Sequence, residues 1–230
     1  VTQERILTTS FSRLSVYEQC PFRAKLQFID RIPDPKPKTA ADRGSAIHQM
    51  GEDFARGKID QLPKELSKFS DEFYQLRTMF SNGVVILEDE WGFAPDWTIS
   101  TWKGGWLRMK LDAMVWLSPY EVVVIDYKTG RKFGNEIKHG DQCLNYAAAA
   151  AARFPEIEMI HTELWYLDQN ELTYGKYPRH KAVAAIARYD KRHKAMTDAT
   201  RFPAKPNVHA CKWCPYSPSG TNHCPEGVTT

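Results

Sequence analysis

Residues 121–130 read EVVVIDYKTG, and the fold follows from how this stretch ends. Val122, Val123, Val124 and Ile125 form an unbroken β-branched run, the pattern of a strand buried on both faces. The run then meets Asp126, Tyr127 and Lys128 before Thr129-Gly130. Side chains alternate along a strand, so Asp126 and Lys128 share one face and Tyr127 takes the other. Desolvating a carboxylate and an ammonium at the end of a core strand is costly without a partner or a purpose. Alone, Asp-x-Lys is also the solvated end of an ordinary strand, where ion pairs contribute little. The neighbouring segments decide between the two.

Upstream, alternation from Leu107 to Trp116 puts Leu107, Met109, Leu111, Ala113 and Val115 on one face and Arg108, Lys110 and Asp112 on the other. The short turn at Ser118–Glu121 predicts an antiparallel hairpin that brings Asp112 alongside Asp126 and Lys128. Val84–Trp91 reads as another strand, ending in Glu88, Asp89 and Glu90. Helices are expected from Ser10 or Ser12 to Tyr17, after Pro21, over Thr39–Lys58, over 63–81, over Lys138–Phe154 with its alanine run, and from Arg179 to about Thr200. A second hairpin is expected around Gln169-Asn170, and Pro33, Pro35 and Pro37 make a stiff connection. Gly44, inside a helix, signals that something approaches the backbone closely.

The expected class is α/β: a central mixed sheet flanked by helices, in one domain over 1–230. In it 39–200 form the core, while 1–38 and 201–230 form a cysteine-bound part. At 42% apolar and 26% charged residues the chain is globular, and a net charge of +3 leaves room for a local basic groove without announcing one. No run is long enough to span a membrane, and the first ten residues lack a signal peptide's apolar core, so a cytoplasmic protein is expected.

Hard divalent cations, Mg²⁺ or Mn²⁺, take carboxylate and carbonyl oxygens. Asp112 and Asp126 can supply two carboxylates, the Tyr127 carbonyl a third oxygen, and His48 a nitrogen that suits Mn²⁺ better. Phosphodiester hydrolysis needs a metal-activated water and a cation at the developing charge, and Lys128 is placed for the latter. Five cysteines in a chain of this size point to ligation rather than a disulfide framework. Cys20, Cys211, Cys214 and Cys224 suit a [4Fe–4S] cluster or a tetrahedral Zn²⁺; the zinc alternative takes His223 or His209 and leaves Cys20 out. Cys143 reads as a buried thiol. Trp97, Trp102 and Trp106 are core residues or a base-stacking platform, and Lys191–Lys194 a solvated helix face or a phosphate contact.

The ordered set resembles the PD-(D/E)XK nuclease superfamily. Leu111-Asp112 is followed fourteen residues later by Asp126-Tyr127-Lys128, with Leu111 in place of the family's proline. Within it the chain is similar to the RecB-like branch that includes CRISPR-adaptation nucleases, AddB and Dna2. Arg43-Gly44-Ser45-Ala46-Ile47-His48 is similar to its RG-x3-H segment, Asp126–Gly130 to its DYKTG strand, Gln142-x3-Tyr146 to its Q-x3-Y helix, and Ser12-Arg13-Leu14 with Cys20-Pro21 to its start. The resemblance implies a restriction-endonuclease-like core. It implies His48, Asp112 and Asp126 as metal ligands, Lys128 as catalytic lysine, and Gln142 and Tyr146 as positioning residues, with Arg43 and Glu90 as further candidates. It favours the iron–sulfur cluster, clamping the N-terminal helix to the C-terminal tail, although the nine residues between Cys214 and Cys224 exceed the family's usual spacing. The expected activity is exonucleolytic hydrolysis of single-stranded DNA or DNA ends, with a helicase, recombinase or other replication protein as partner. The alternatives are a catalytically silent DNA-binding module of a recombination or integration complex and a zinc-stabilised structural protein.

Overall fold

A computed structural model of the protein describes residues 4–35, 39–130 and 132–228. Helix α1 (Phe11–Gln19) is capped by Ser10, whose hydroxyl accepts from the Arg13 amide at 3.3 Å. Helix α2 (Pro21–Phe28) starts on Pro21, where the missing N–H costs nothing. Of the proline-rich connection, Pro37 lies outside the described residues. Helix α3 (Thr39–Ala55) follows, then a 3₁₀ turn (Lys64–Phe69) running into α4 (Ser70–Ser81). Strands β1 (Val85–Leu87), β2 (Glu90–Phe93), β3 (Ile99–Ser100), β4 (Leu107–Lys110), β5 (Ala113–Ser118) and β6 (Glu121–Lys128) precede helix α5 (Glu136–Arg153). Strands β7 (Met159–Tyr166) and β8 (Glu171–Pro178) and helices α6 (Arg179–Thr197) and α7 (Val208–Trp213) complete the order.

The Val122–Ile125 run forms β6, at the centre of a five-stranded mixed sheet ordered β1-β5-β6-β7-β8. Only β6 and β7 pair in parallel, joined through α5; the other neighbours are antiparallel. Burial on both faces has two separate causes. Val122 and Val124 pack under α5, where Ala147–Ala151 are fully buried and their small side chains let the helix lie close. Val123, Ile125 and Tyr127 pack against α3, the 3₁₀ turn and α4 through Phe54, Leu66, Phe73 and Leu76. Helices on both faces of a mixed sheet match the expected α/β architecture.

Two expected strands are broken, and for one reason. Val84–Trp91 divides at Glu88-Asp89, and the Leu107–Trp116 alternation divides at Leu111-Asp112. The outer halves, β2 and β4, join β3 in a separate three-stranded sheet, while β1 and β5 stay in the large one. The two chains cross between the sheets together. Glu88 N–H donates to the Asp112 carbonyl and Leu111 N–H to the Asp89 carbonyl, each at 3.0 Å. Glu88 sits in the left-handed region with φ 54°, which turns the strand at the crossing. The apolar residues before and after the break enter different cores. Trp91, Phe93, Leu107, Met109 and Leu111 pack on the α5 side, whereas Val85, Leu87, Ala113 and Val115 pack on the α3–α4 side, so the single face expected from Leu107 to Val115 changes sides at the crossing.

The chain ends meet at α6 and the tail. Ile6, Ala24 and Met196 form a small cluster, Tyr17 Oη donates to the Ala195 carbonyl at 3.0 Å, and Tyr216 Oη to the Ile32 carbonyl at 2.9 Å. The expected basic helix face is only partly solvated. Arg192 is bound to Glu18 at 2.7 Å, and His193 is fully buried with Nδ1 2.7 Å from Thr9 Oγ1.

His193 makes folding acid-sensitive. Burial, then the charge of Arg192, lowers its pKa from 6.5 to about 4. Between those values the unfolded chain takes up a proton that the folded chain refuses, so this contribution is intact above the unfolded pKa and is lost as pH falls. Wild type should lose about 2–3 kcal/mol more unfolding free energy between pH 7 and about pH 4.5 than His193→Gln, measured by urea denaturation.

Candidate active site

Asp126 and Lys128 leave β6 toward α5, with Asp126 Oδ2 2.5 Å from Lys128 Nζ. Helix periodicity places Gln142 and Tyr146 one turn apart above them. Lys128 Nζ donates to Gln142 Oε1 at 2.9 Å, and Tyr146 Oη donates to Asp126 Oδ1 at 2.9 Å. Gln142 Nε2 in turn donates to Tyr146 Oη at 3.0 Å, closing the network. Burial, then the charges of Asp126 and Asp112, pushes the Tyr146 phenol well above its ordinary range, so it acts as a neutral donor.

Asp112 stands at the crossing between sheets, one residue before β5. Its Oδ2 accepts from the Tyr127 amide at 2.6 Å and its Oδ1 lies 2.8 Å from His48 Nδ1 on α3. Burial, with the charge of Asp126 added, raises the Asp112 pKa against the opposing effect of His48. For His48, burial works to lower the pKa, but Asp112, Asp126 and Glu88 together raise it. The pocket therefore has an excess of acceptors crowded against one another.

The third carboxylate in this pocket is Glu88, not Glu90. Glu90 is exposed on β2 opposite Lys110, whereas Glu88 is turned inward at the crossing. Glu88 Oε2 binds Lys110 at 2.5 Å, and its Oε1 is buried without a hydrogen-bond partner. Ligand atoms of His48, Glu88 and Asp112 lie within 4.8 Å of one another, a group that can hold a metal ion. Two carboxylates and an imidazole, with an orphaned carboxylate oxygen among them, fit a hard divalent cation. Its positive left-handed φ is what aims Glu88, and strand alternation gives no sign of that. The run Glu88-Asp89-Glu90 was the available signal.

Other expected residues take different places. Arg43 is fastened to Asp168 by two hydrogen bonds, at 2.9 and 2.7 Å, and does not line the pocket. Gly44 does line it, and a Cβ there would stand 3.2 Å from Thr129 Oγ1, which identifies the close approach signalled by the sequence. The Tyr127 ring points to the opposite face, among Phe73, Trp165 and the edge of His48. Trp97 is buried in the core, Trp106 Nε1 donates to Thr197 Oγ1 at 3.1 Å, and Trp102 lies under the Arg108 guanidinium, so these tryptophans are packed rather than presented as a platform.

Cys20, Cys211, Cys214 and Cys224 line one cavity between the α1–α2 junction and the tail. All four are free, and the Lys205 amide donates to Cys20 Sγ at 3.5 Å. Among the described residues, no three of these sulfurs lie within 4.8 Å of one another. Neither His209 nor His223 lines the cavity, and His223 is turned to Thr221 at 2.7 Å. Cys143 is buried elsewhere, and burial pushes its thiol up to about 11.

A family description, the PD-(D/E)XK nuclease superfamily, matches this chain over two overlapping stretches, residues 8–119 and 107–219. The chain belongs to the PD-(D/E)XK nuclease superfamily. Membership implies a divalent-metal-dependent nuclease with a DNA substrate, in keeping with the acidic pocket. No curated protein matches the chain. Among solved structures it is similar to one titled "Crystal structure of SSO0001", at 16% identity and a TM-score of 0.48, over 97% of this chain and 88% of that one. Among the described residues, no helix is long and apolar enough to cross a membrane.

The geometry separates the two glutamates of this PD-(D/E)XK chain experimentally. In a Mn²⁺ titration followed by calorimetry, Glu88→Gln should weaken binding about tenfold or more, on the scale of losing one ligand. Glu90→Gln should bind as the wild type does.

Proposed function

We propose that the protein is an exonuclease that hydrolyses single-stranded DNA or DNA ends with Mg²⁺ or Mn²⁺, of the RecB-like iron–sulfur branch. The observation that carries this reading is one pocket bordered by Asp112 and Asp126 from neighbouring strands, with Lys128 held beside Asp126. His48, Glu88 and Asp112 would hold the cation, with Asp126, which borders the same pocket, and the Tyr127 carbonyl as further oxygens. When bound, a divalent cation supplies an activated water and neutralises charge developing on the phosphate. The chain's own residues do the rest. Lys128 brings a fixed positive charge to the phosphate, aimed by its bonds to Asp126 and Gln142. Gln142 and Tyr146 are positioning residues that keep Asp126 in one orientation. The reading includes a cytoplasmic setting in which a helicase, recombinase or other replication protein presents the DNA.

The test is anaerobic digestion of linear single-stranded DNA labelled at one end, with Mn²⁺. Stepwise loss of label is expected from wild type, and a fall of at least about 10²-fold from Lys128→Ala or Asp112→Ala, the scale of losing a group that stabilises developing charge. Equal cleavage by wild type and both variants, under matched folding, would refute the assignment. Binding without cleavage by all three would leave a DNA-binding module.

The cysteine cavity is read as a [4Fe–4S] site held by Cys20, Cys211, Cys214 and Cys224. A tetrahedral zinc with Zn–S near 2.3 Å draws its sulfurs to about 3.8 Å of one another. A [4Fe–4S] cube places its own iron and sulfide between the thiolates and holds them farther apart. What supports shared ligation is that all four thiols line one cavity between the N-terminal helices and the tail. Protein purified anaerobically should carry about four iron atoms per chain, and Cys20→Ser should lose most of them. Stoichiometric zinc without iron would reverse this assignment.

A further inference from the structure

Residues 132–135 lead into α5, and they and the first turn of that helix present apolar side chains to solvent. Phe133 is 89% exposed and Ile137 is 92% exposed. The following residues, Gly134, Ile137 and Lys138, form one wall of a cleft of about 980 Å³, whose other wall is α1 with Arg23 of α2. Ile137 lines the cleft and Phe133 directly precedes its lining residue Gly134, so both exposed apolar side chains border the groove, where such exposure marks a contact surface.

The charge of the cleft is unbalanced. Its two carboxylates are already occupied: Glu18 is held by Arg192 at 2.7 Å, and Asp141 by Arg192 at 2.7 Å and by Arg188 at 2.9 Å. Arg23 donates to the neutral Gln19 at 2.9 Å, and its Nε is buried without a partner. Among the described residues, no carboxylate pairs with Lys138. Partial burial, then the charges of Lys128 and Arg23, holds its ammonium below the ordinary lysine pKa. A row of cations therefore runs from the active-site lysine through Lys138 to Arg23, which also lines the cysteine cavity. Lys128 has Asp126 as its partner, whereas among the described residues no carboxylate answers Lys138 or Arg23.

Exposed apolar tips beside uncompensated cations suit a ligand that carries flat apolar faces on a polyanionic backbone. We propose that the cleft between α1 and the start of α5 holds the single-stranded stretch of the substrate adjoining the cut, with a base stacked on Phe133 and Ile137 and phosphates on Lys138 and Arg23. This rests on the nuclease reading and adds to it the side on which the strand lies. A duplex keeps its bases stacked internally and offers nothing to Phe133, so the site selects single strands.

Binding is read without turnover, by fluorescence anisotropy of a labelled single-stranded oligonucleotide in EDTA, with the anaerobically purified full chain. Phe133→Ala should weaken binding about tenfold, the scale of one lost base–aromatic stack. Lys138→Gln and Arg23→Gln should each lower the slope of log affinity against log salt by about 0.7. Lys64→Gln, on the 3₁₀ turn across the sheet, should change neither. Phe133 and Lys138 are exposed, so these variants remain informative if Arg23→Gln disturbs the cysteine cavity. Wild-type affinity and salt slope in Phe133→Ala and Lys138→Gln would overturn the proposal, while wild-type cleavage measured in parallel would leave the nuclease reading standing. Failure of wild type both to bind and to cleave would overturn both.

Discussion

The burial of two carboxylates in one pocket is the constraint that the rest of the site answers. Asp112 and Asp126 face one pocket from neighbouring strands, and each is answered separately. Asp112 is held by His48 from α3 and by the Tyr127 amide; Asp126 is held by Lys128 and by Tyr146 from α5. The helices on the two faces of the sheet thus each supply a partner to one carboxylate. The packing that keeps them there is the ordinary α/β core, with Ala147–Ala151 on one face and Phe54, Phe73 and Tyr127 on the other. What remains unanswered, the Glu88 Oε1 atom and the raised Asp112 carboxyl, is the part that a cation would satisfy.

The sheet crossing explains why this arrangement was only partly legible in the sequence. The structure brings Asp112, Asp126, Lys128, Gln142 and Tyr146 together, a convergence that the expected hairpin, the helix spacing and the family-like motifs indicated jointly. Glu88 was not indicated, because its place depends on two strands leaving one sheet for another together, joined by the Glu88–Asp112 and Leu111–Asp89 hydrogen bonds. The apolar period runs through the crossing in the sequence, but in the structure its face passes from the α5-side core to the α3–α4-side core there. The period therefore marks which residues are buried and not which core or which sheet takes them. Glu90 and Arg43 were further candidates from the resemblance; the structure gives the first to a strand surface and the second to Asp168.

Long-range convergence was legible where a residue type is rare and the tail has no period of its own. Cys20 and the tail cysteines are separated by most of the chain, yet they line one cavity, because α1 and α2 are bound to α6 and the tail through Tyr17, Ala24, Tyr216 and Met196. Of the two readings of the tryptophans, the structure takes the core one for Trp97 and Trp106. Aromatic residues in an irregular stretch look available, but Trp97 and Trp106 reach back into the core and onto α6. The exposed aromatic next to the active strand, Phe133, lies in a loop where no pattern singles it out.

A nuclease of this kind requires the acidic pocket to be a cation site. Crystals soaked in Mn²⁺, measured for anomalous scattering, test it most directly. A peak among His48, Glu88, Asp112 and Asp126 that disappears in Asp112→Asn is the expected result. A pocket without a peak at saturating Mn²⁺, or a peak indifferent to Asp112→Asn, would contradict it.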